Sequence, residues 1–328
     1  MTFTGPDVRI LQIHPTRLCN LRCLHCYSSS GPQERGELGA PLLLQAVSDA
    51  SRLGYNVLSV SGGEPLLYSQ LVPLCREARR NKMITTLVTN GTVTTQRKMD
   101  ELRGLVDMMA ISLDGMPERH NRIRGSARAF QQMADSLQLV RQARIPFAFV
   151  FTLTRENLHD LRWAASFAVA QGALMLQVHP LEQFGRACSD LRGEGLPGRE
   201  MGAAWMMVEY LRELHRGKLM VHLDSLSRYQ LPDAPGDFDE TVSPLVIEDD
   251  GTVSPLRYGF PRAFAFGSLH TRTLAEMAPD WKRRHESAFR GLYRETLRNV
   301  RESDQMFVNL YEMMAEAAAE SELVALSS

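Results

Sequence analysis

Between residue 8 and about residue 180, short apolar runs alternate with segments of helical period, and this alternation leaves the chain very few folds to choose from. The runs are VRILQIHP (8–15), NVLSVSG (56–62), ITTLVTNG (84–91), MMAISLDG (108–115), IPFAFVFTLT (145–154) and ALMLQVHP (173–180). Helices are predicted between them over 41–53, 69–80, 94–103, 127–143 and 156–171. Strands rich in Val, Ile and Leu on both faces are what a sheet covered by helices requires, so the strands should be parallel, with helical crossovers. The run of six units predicts an α/β fold, a partial (β/α)6 TIM-like barrel, rather than a closed eight-stranded one.

The polar and glycine-rich clusters fall just after strands: RLCNLRCLHCYSSSGP (17–32) after the first, SGGEP (61–65) after the second, TNGT (89–92) after the third and SLDG (112–115) after the fourth. In parallel barrels that end of the strands builds the active site. Cys19, Cys23 and Cys26 share one loop, and only Cys75 and Cys188 lie outside it. An odd set of five, three of them crowded together, suits metal ligation in a reducing compartment better than disulfides. Soft thiolates favour zinc, copper(I) or an iron–sulfur cluster, and His25 in the same loop keeps a zinc knot open as the alternative. Cys75 reads as a buried apolar residue of a helix and Cys188 as an ordinary thiol.

A formal net charge of -1 and 23% charged residues give no sign of a nucleic-acid or membrane-surface partner, and neither an export signal nor a membrane-spanning run is legible. A cytoplasmic protein is expected. Residues 1–180 are expected to form the barrel and 181–240 a Gly/Arg-rich connector with a helix over 199–216, a strand near 219–224 and the Pro/Asp loop QLPDAPGDFDE. Residues 241–328 are expected to hold a hairpin around LVIEDDGTVSPL and helices over about 280–325 with a break.

Cys-x3-Cys-x2-Cys followed by an aromatic, with GGEP about 35 residues on, resembles the radical SAM superfamily over the barrel, residues 8–180. The resemblance implies one [4Fe-4S] cluster on Cys19, Cys23 and Cys26, with the iron that has no cysteine left to chelate S-adenosylmethionine (SAM). It further implies SAM contacts at Tyr27, Gly62, Gly63, Glu64, Pro65, Asn90, Ser112 and Arg124, the arginine suiting a carboxylate. Asp114, His179 and His14 are candidate catalytic residues; a turn residue and two packed histidines are the plainer readings. Asn157 reads as a helix-start residue.

The wording of the barrel is most similar to the subgroup with a C-terminal SPASM domain. Leu256 stands where that subgroup has a cysteine, and no cysteine follows Cys188, so a SPASM-like extension without auxiliary cluster is expected. The expected function is abstraction of hydrogen from a ribosomal peptide or natural-product substrate, or else from a tetrapyrrole or other cofactor intermediate. A cluster-binding partner protein without turnover is the third reading. An electron donor such as flavodoxin or ferredoxin is implied. About seven residues precede the first strand, so peptide recognition would fall to a separate protein or to the C-terminal helices.

Overall fold

The computed structural model describes residues 8–232 and 242–327. Six parallel strands follow the predicted runs: β1 (Ile10–Ile13), β2 (Val57–Val60), β3 (Ile84–Thr89), β4 (Met108–Ser112), β5 (Phe147–Leu153) and β6 (Met175–Pro180). The crossovers carry α1 (Ala40–Arg52), α2 (Leu71–Arg80), α3 (Gln96–Leu102), α4 (Pro117–Arg124), α5 (Ala129–Gln142) and α6 (Leu161–Gln171). Prolines near the starts of α1 and α4 sit where a missing N–H costs nothing, and α4 and α6 stop at Gly125 and Gly172, both left-handed. Helix α4 was not predicted. PERHNRIR is too short and too polar to show an apolar period.

The remaining elements are α7 (Ala187–Asp190), α8 (Gly198–Leu214), β7 (Met220–Leu223), β8 (Leu226–Ser227), β9 (Leu245–Ile247), β10 (Thr252–Pro255), β11 (Gly267–Ser268), α9 (Leu274–Glu302), β12 (Phe307–Val308) and α10 (Leu310–Ser327). Part of the expected Pro/Asp loop lies outside the described residues. The tail helix breaks at residues 303–309, between α9 and α10, as expected, and α9 begins six residues before the predicted start because Thr273 and Glu276 form a capping box.

The segments expected as connector and extension both add strands to the barrel sheet. β7 pairs parallel with β6, and β9 pairs parallel with β1 in the register Leu11↔Leu245 and Ile13↔Ile247, giving the order β11-β10-β9-β1-β2-β3-β4-β5-β6-β7. Each otherwise open edge of the six-stranded sheet is thereby covered, which satisfies its unpaired backbone groups. The main core lies between sheet and helices, with Leu11, Ile13, Leu58, Phe149 and Phe151 fully buried. A second apolar core packs Leu256, Phe260, Trp281, Phe289 and Met314 between the loop after β10 and helices α9 and α10. Buried Asp49 of α1 ties the halves together, accepting hydrogen bonds from the Ala275 N–H (3.1 Å) and from Gln45 and Arg52.

Candidate active site

The cysteine loop leaves β1 at Pro15 and folds back on itself: the Cys19 N–H donates to Gly31 O (3.1 Å) and the Gly31 N–H to Arg17 O (3.1 Å). Its neighbours hold it through backbone approaches that only glycine permits. A Cβ on Gly62 (φ 107°) would stand 2.8 Å from Thr16 O, and one on Gly63 would overlap Leu18 O and lie 2.7 Å from Leu18 C. The Gly63 and Glu64 N–H groups bond Thr16 O (2.8 Å) and Leu18 O (2.9 Å), so the GG pair clamps the β2 loop onto the cysteine loop. Gly125 (φ 67°), at the end of α4, lies against Arg22 in the same way: a Cβ there would stand 2.7 Å from Arg22 O. Gly185 (φ 60°) presses on Tyr27 O and Cys26 O, and next to it Arg186 donates from Nε to Cys23 O (2.9 Å) and from its guanidinium to Ser30 O (2.5 Å).

Cys19, Cys23 and Cys26 gather with Leu21 in one small cluster. Every thiol meets a polar group: Leu21 N–H (3.5 Å) and Asn90 Nδ2 (3.8 Å) at Cys19 Sγ, an Arg124 guanidinium N–H (3.7 Å) at Cys23 Sγ, and Ser28 Oγ (3.5 Å) at Cys26 Sγ. Burial pushes the Cys19 thiol up to about 12 and raises Cys23 as well, although Arg124 opposes it at Cys23. Such buried thiols ionise only when a cationic group draws them to thiolate. Three thiols gathered in one loop, each with a polar group beside it, have the donor chemistry of an iron–sulfur cluster in which one iron has no cysteine ligand.

His25, the fourth ligand a zinc knot would draw on, is turned instead to Asp114, its Nε2 3.3 Å from Asp114 Oδ2. Cys75 is buried in α2, and exposed Cys188 donates to Gln183 O, so both lie outside the thiol cluster.

The other predicted residues surround this loop. Glu64 is fully buried and takes three donors, Leu66 N–H (3.0 Å), Thr89 Oγ1 (2.7 Å) and Asn90 N–H (2.8 Å); burial raises its carboxyl despite them. Pro65 opens the short turn after it. Asn90 is fixed by Asn20 Oδ1 (3.0 Å) and by Thr92 N–H and Oγ1, and Ser112 donates to Thr89 O (3.3 Å). Arg124 is buried, its Nε 2.5 Å from Asp114 Oδ2. Burial alone would raise the Asp114 carboxyl, but Arg124 and His25 outweigh it and hold it well below the usual carboxylate range. Asn157 donates to Asp114 O and Thr152 O and accepts from Thr154 N–H, bracing the β4 and β5 ends as well as starting a helical turn.

Tyr27 donates to or accepts from Ser61 Oγ (3.1 Å) and meets His14 edge-on at 5.7 Å; Tyr258, from the loop after β10, closes the group at 4.8 Å from His14. His14 is fully buried, neither ring nitrogen has a hydrogen-bond partner, and burial lowers it to about 3. His179, at the end of β6, stands apart from that ring and pairs with Asp224 (2.7 Å). Burial would lower its pKa, and Asp224 raises it further than burial lowers it.

Asp160, which accepts from the Met116 N–H (3.0 Å) and from Arg119 Nε (2.9 Å), escaped sequence reasoning. His25 precedes the third cysteine and was weighed only as a zinc ligand. Gly185 and Arg186 lie in FGRA, part of the wording of the barrel on which the resemblance rests, but neither was assigned a role, which shows only once the chain returns to the loop.

Residues 13–168 match the family model described as Radical SAM superfamily. An AdoMet-dependent heme synthase of Methanosarcina barkeri is 29% identical over 181 residues, 54% of this chain and 52% of that protein. A PqqA peptide cyclase of Ruegeria pomeroyi is 28% identical over 265 residues, 78% of this chain and 68% of that one. The chain thus spans about half the length of the synthase. The fold is similar to that of SuiB from Streptococcus suis, solved with S-adenosylmethionine, at a TM-score of 0.69 and 14% identity over 84% of this chain and 67% of that one.

Proposed function

We propose, from the premise that residues 13–168 are a radical SAM superfamily domain, that this chain is an enzyme that cleaves SAM and uses it to abstract hydrogen from a substrate. The observation that carries the reading is the gathering of three thiols, two buried and that of Cys26 partly buried, each met by a polar group, inside a loop clamped by Gly62, Gly63, Gly125 and Gly185. Cys19, Cys23 and Cys26 would hold a [4Fe-4S] cluster, which when bound supplies the electron for reductive cleavage of SAM to methionine and a 5′-deoxyadenosyl radical. The protein's part is to place and shield. Arg124 presents a fixed cation suited to the SAM carboxylate, and the Gly62–Gly63 backbone, Glu64, Pro65, Asn90, Ser112 and Tyr27 are the further SAM contacts that this reading implies. Glu64 acts there by wiring the β2 and β3 loops together, since both its oxygens are engaged.

The C-terminal segment is proposed to be a SPASM-like scaffold without a second cluster. Leu256, where the resemblance expects a cysteine, is buried in the apolar core with Phe260 and Trp281, and none of the five cysteines lies in that core. The substrate class proposed is a peptide; the cyclase match, which covers 78% of the chain against 54% for the heme synthase, supports it. An electron donor of the flavodoxin or ferredoxin class would serve the cluster, and a separate peptide-recognition protein is compatible with this reading. The test is anaerobic incubation of the reconstituted protein with dithionite and SAM. 5′-Deoxyadenosine is expected from the wild type and none from Cys23→Ala; a correctly loaded protein that makes none would favour the non-catalytic partner.

A further inference from the structure

Asp114 sits in the turn after β4 with no exposed surface, and three separate elements compete for its carboxylate. Oδ2 faces Arg124 Nε at 2.5 Å and His25 Nε2 at 3.3 Å; Oδ1 accepts the Thr152 N–H of β5 at 3.1 Å. Its backbone is gripped as well, the N–H donating to His120 Nδ1 (3.2 Å) and the carbonyl accepting from Asn157 Nδ2 (3.1 Å). The turn itself has a different support: Asp160 accepts from the Met116 N–H (3.0 Å) and from Arg119 Nε (2.9 Å). The Asp114 carboxylate is thus not what holds residues 116–119, and its two side-chain partners, Arg124 and His25, both belong to the cysteine site.

Arg124 is the last residue of α4, and the end of that helix is seated on the cysteine loop through Leu24 N–H to Ile123 O (2.9 Å) and through Gly125 against Arg22 O. Its guanidinium has a carboxylate on the Nε side and the Cys23 sulfur at 3.7 Å from a terminal nitrogen. A buried guanidinium is a fork whose direction is set by whichever anion holds one of its edges. His25, between Cys23 and Cys26, is turned to the same oxygen.

We infer that Asp114 is a positioning residue of the cysteine site, the fixed anion that aims Arg124 at Cys23 and at the carboxylate of SAM and turns His25 away from the thiols. The inference rests on the reading of the chain as a SAM-binding protein. Removing the anion leaves Arg124 buried without its counter-charge and free to turn, which changes both the ligand's arginine contact and the charge beside the cysteine loop.

The experiment is Asp114→Asn in the full chain, reconstituted anaerobically beside the wild type and read three ways: iron per chain, SAM dissociation constant and midpoint potential of the cluster. The expected result is iron close to wild type, SAM binding at least tenfold weaker, and a more positive potential, because a positive charge near the cluster has lost its partner. Asp114→Glu, which keeps the charge and displaces it by one methylene, is expected to restore the potential more fully than the affinity. SAM affinity and potential equal to wild type in Asp114→Asn would overturn the inference. So would iron loading that falls in both variants in step with SAM binding, since Asp114 would then support the loop and not the arginine. A wild type that binds no SAM defeats the functional reading itself; a wild type that binds it beside an unchanged Asp114→Asn defeats only this inference.

Discussion

Gly185→Ala places a methyl group against the backbone of the cysteine loop. The new Cβ would overlap Tyr27 O and stand 2.6 Å from Cys26 O, and both obstacles are main chain, so no side-chain rotation relieves them. Alanine at φ 60° costs about 1 kcal/mol by itself. If the 183–190 segment withdraws, it gives up the Arg186 N–H bond to Cys26 O and the guanidinium bonds to Cys23 O and Ser30 O. At about 1 kcal/mol for the first and about 1.5–2 for each charged donor, the total is about 5 kcal/mol. That is comparable with the lower end of a whole domain's stability but is confined to one contact, so the sheet is expected to fold with the loop displaced. The assay is iron per chain after anaerobic reconstitution, with far-ultraviolet circular dichroism as the check on folding. Gly185→Ala should keep the native spectrum and load less than half the wild-type iron. Gly193→Ala is the control: its φ of 77° carries the same conformational cost, but nothing lies within 4 Å of the new methyl, and iron loading should be unchanged. Wild-type loading in Gly185→Ala, or equal losses in both variants, would refute the idea that backbone contact with residue 185 shapes the cysteine loop.

Two further outcomes follow from buried groups. Leu256→Ala removes a side chain that is 2% exposed in the second core and should cost about 2–5 kcal/mol, visible as a fall of several degrees in Tm, while iron per chain stays constant. Loss of iron in that variant would contradict a cluster-free extension. His14 is held at about 3 by burial, below its unfolded value of about 6.5, so its contribution to stability is full above pH 6.5 and falls as pH drops toward 3. Between pH 7.5 and 5 the cluster-free chain should therefore lose about 2 kcal/mol more in urea unfolding than His14→Phe, which keeps a ring between Tyr27 and Tyr258. Equal losses would mean that His14 is not a buried neutral ring.

The barrel was legible because its information is periodic. Apolar runs with helical segments between them survive one-dimensional reading, and all six runs became the strands β1–β6. The cysteine loop was legible because its ligands are close in sequence. What could not be read is pairing over long separations: β9 meets β1 across more than two hundred residues, and LVI carries no mark of the edge it will cover. Helix α4 was hidden for the opposite reason, since its polar sequence buries His120, Ile123 and Arg124 without an apolar stripe. The glycines show a third kind of limit. Gly62 and Gly63 stood out as a motif, but their contact with Thr16 and Leu18 is a property of two loops meeting, and the same reason for glycine recurs at residue 185, where no doublet advertises it.

The most direct test of the account is the iron and sulfide content of the anaerobically reconstituted wild-type chain, together with the spectrum of its reduced cluster before and after SAM. One cluster on Cys19, Cys23 and Cys26 with an open iron predicts about four irons per chain and a spectrum that changes when SAM is added. About eight irons, or about four with a spectrum indifferent to SAM, would contradict it.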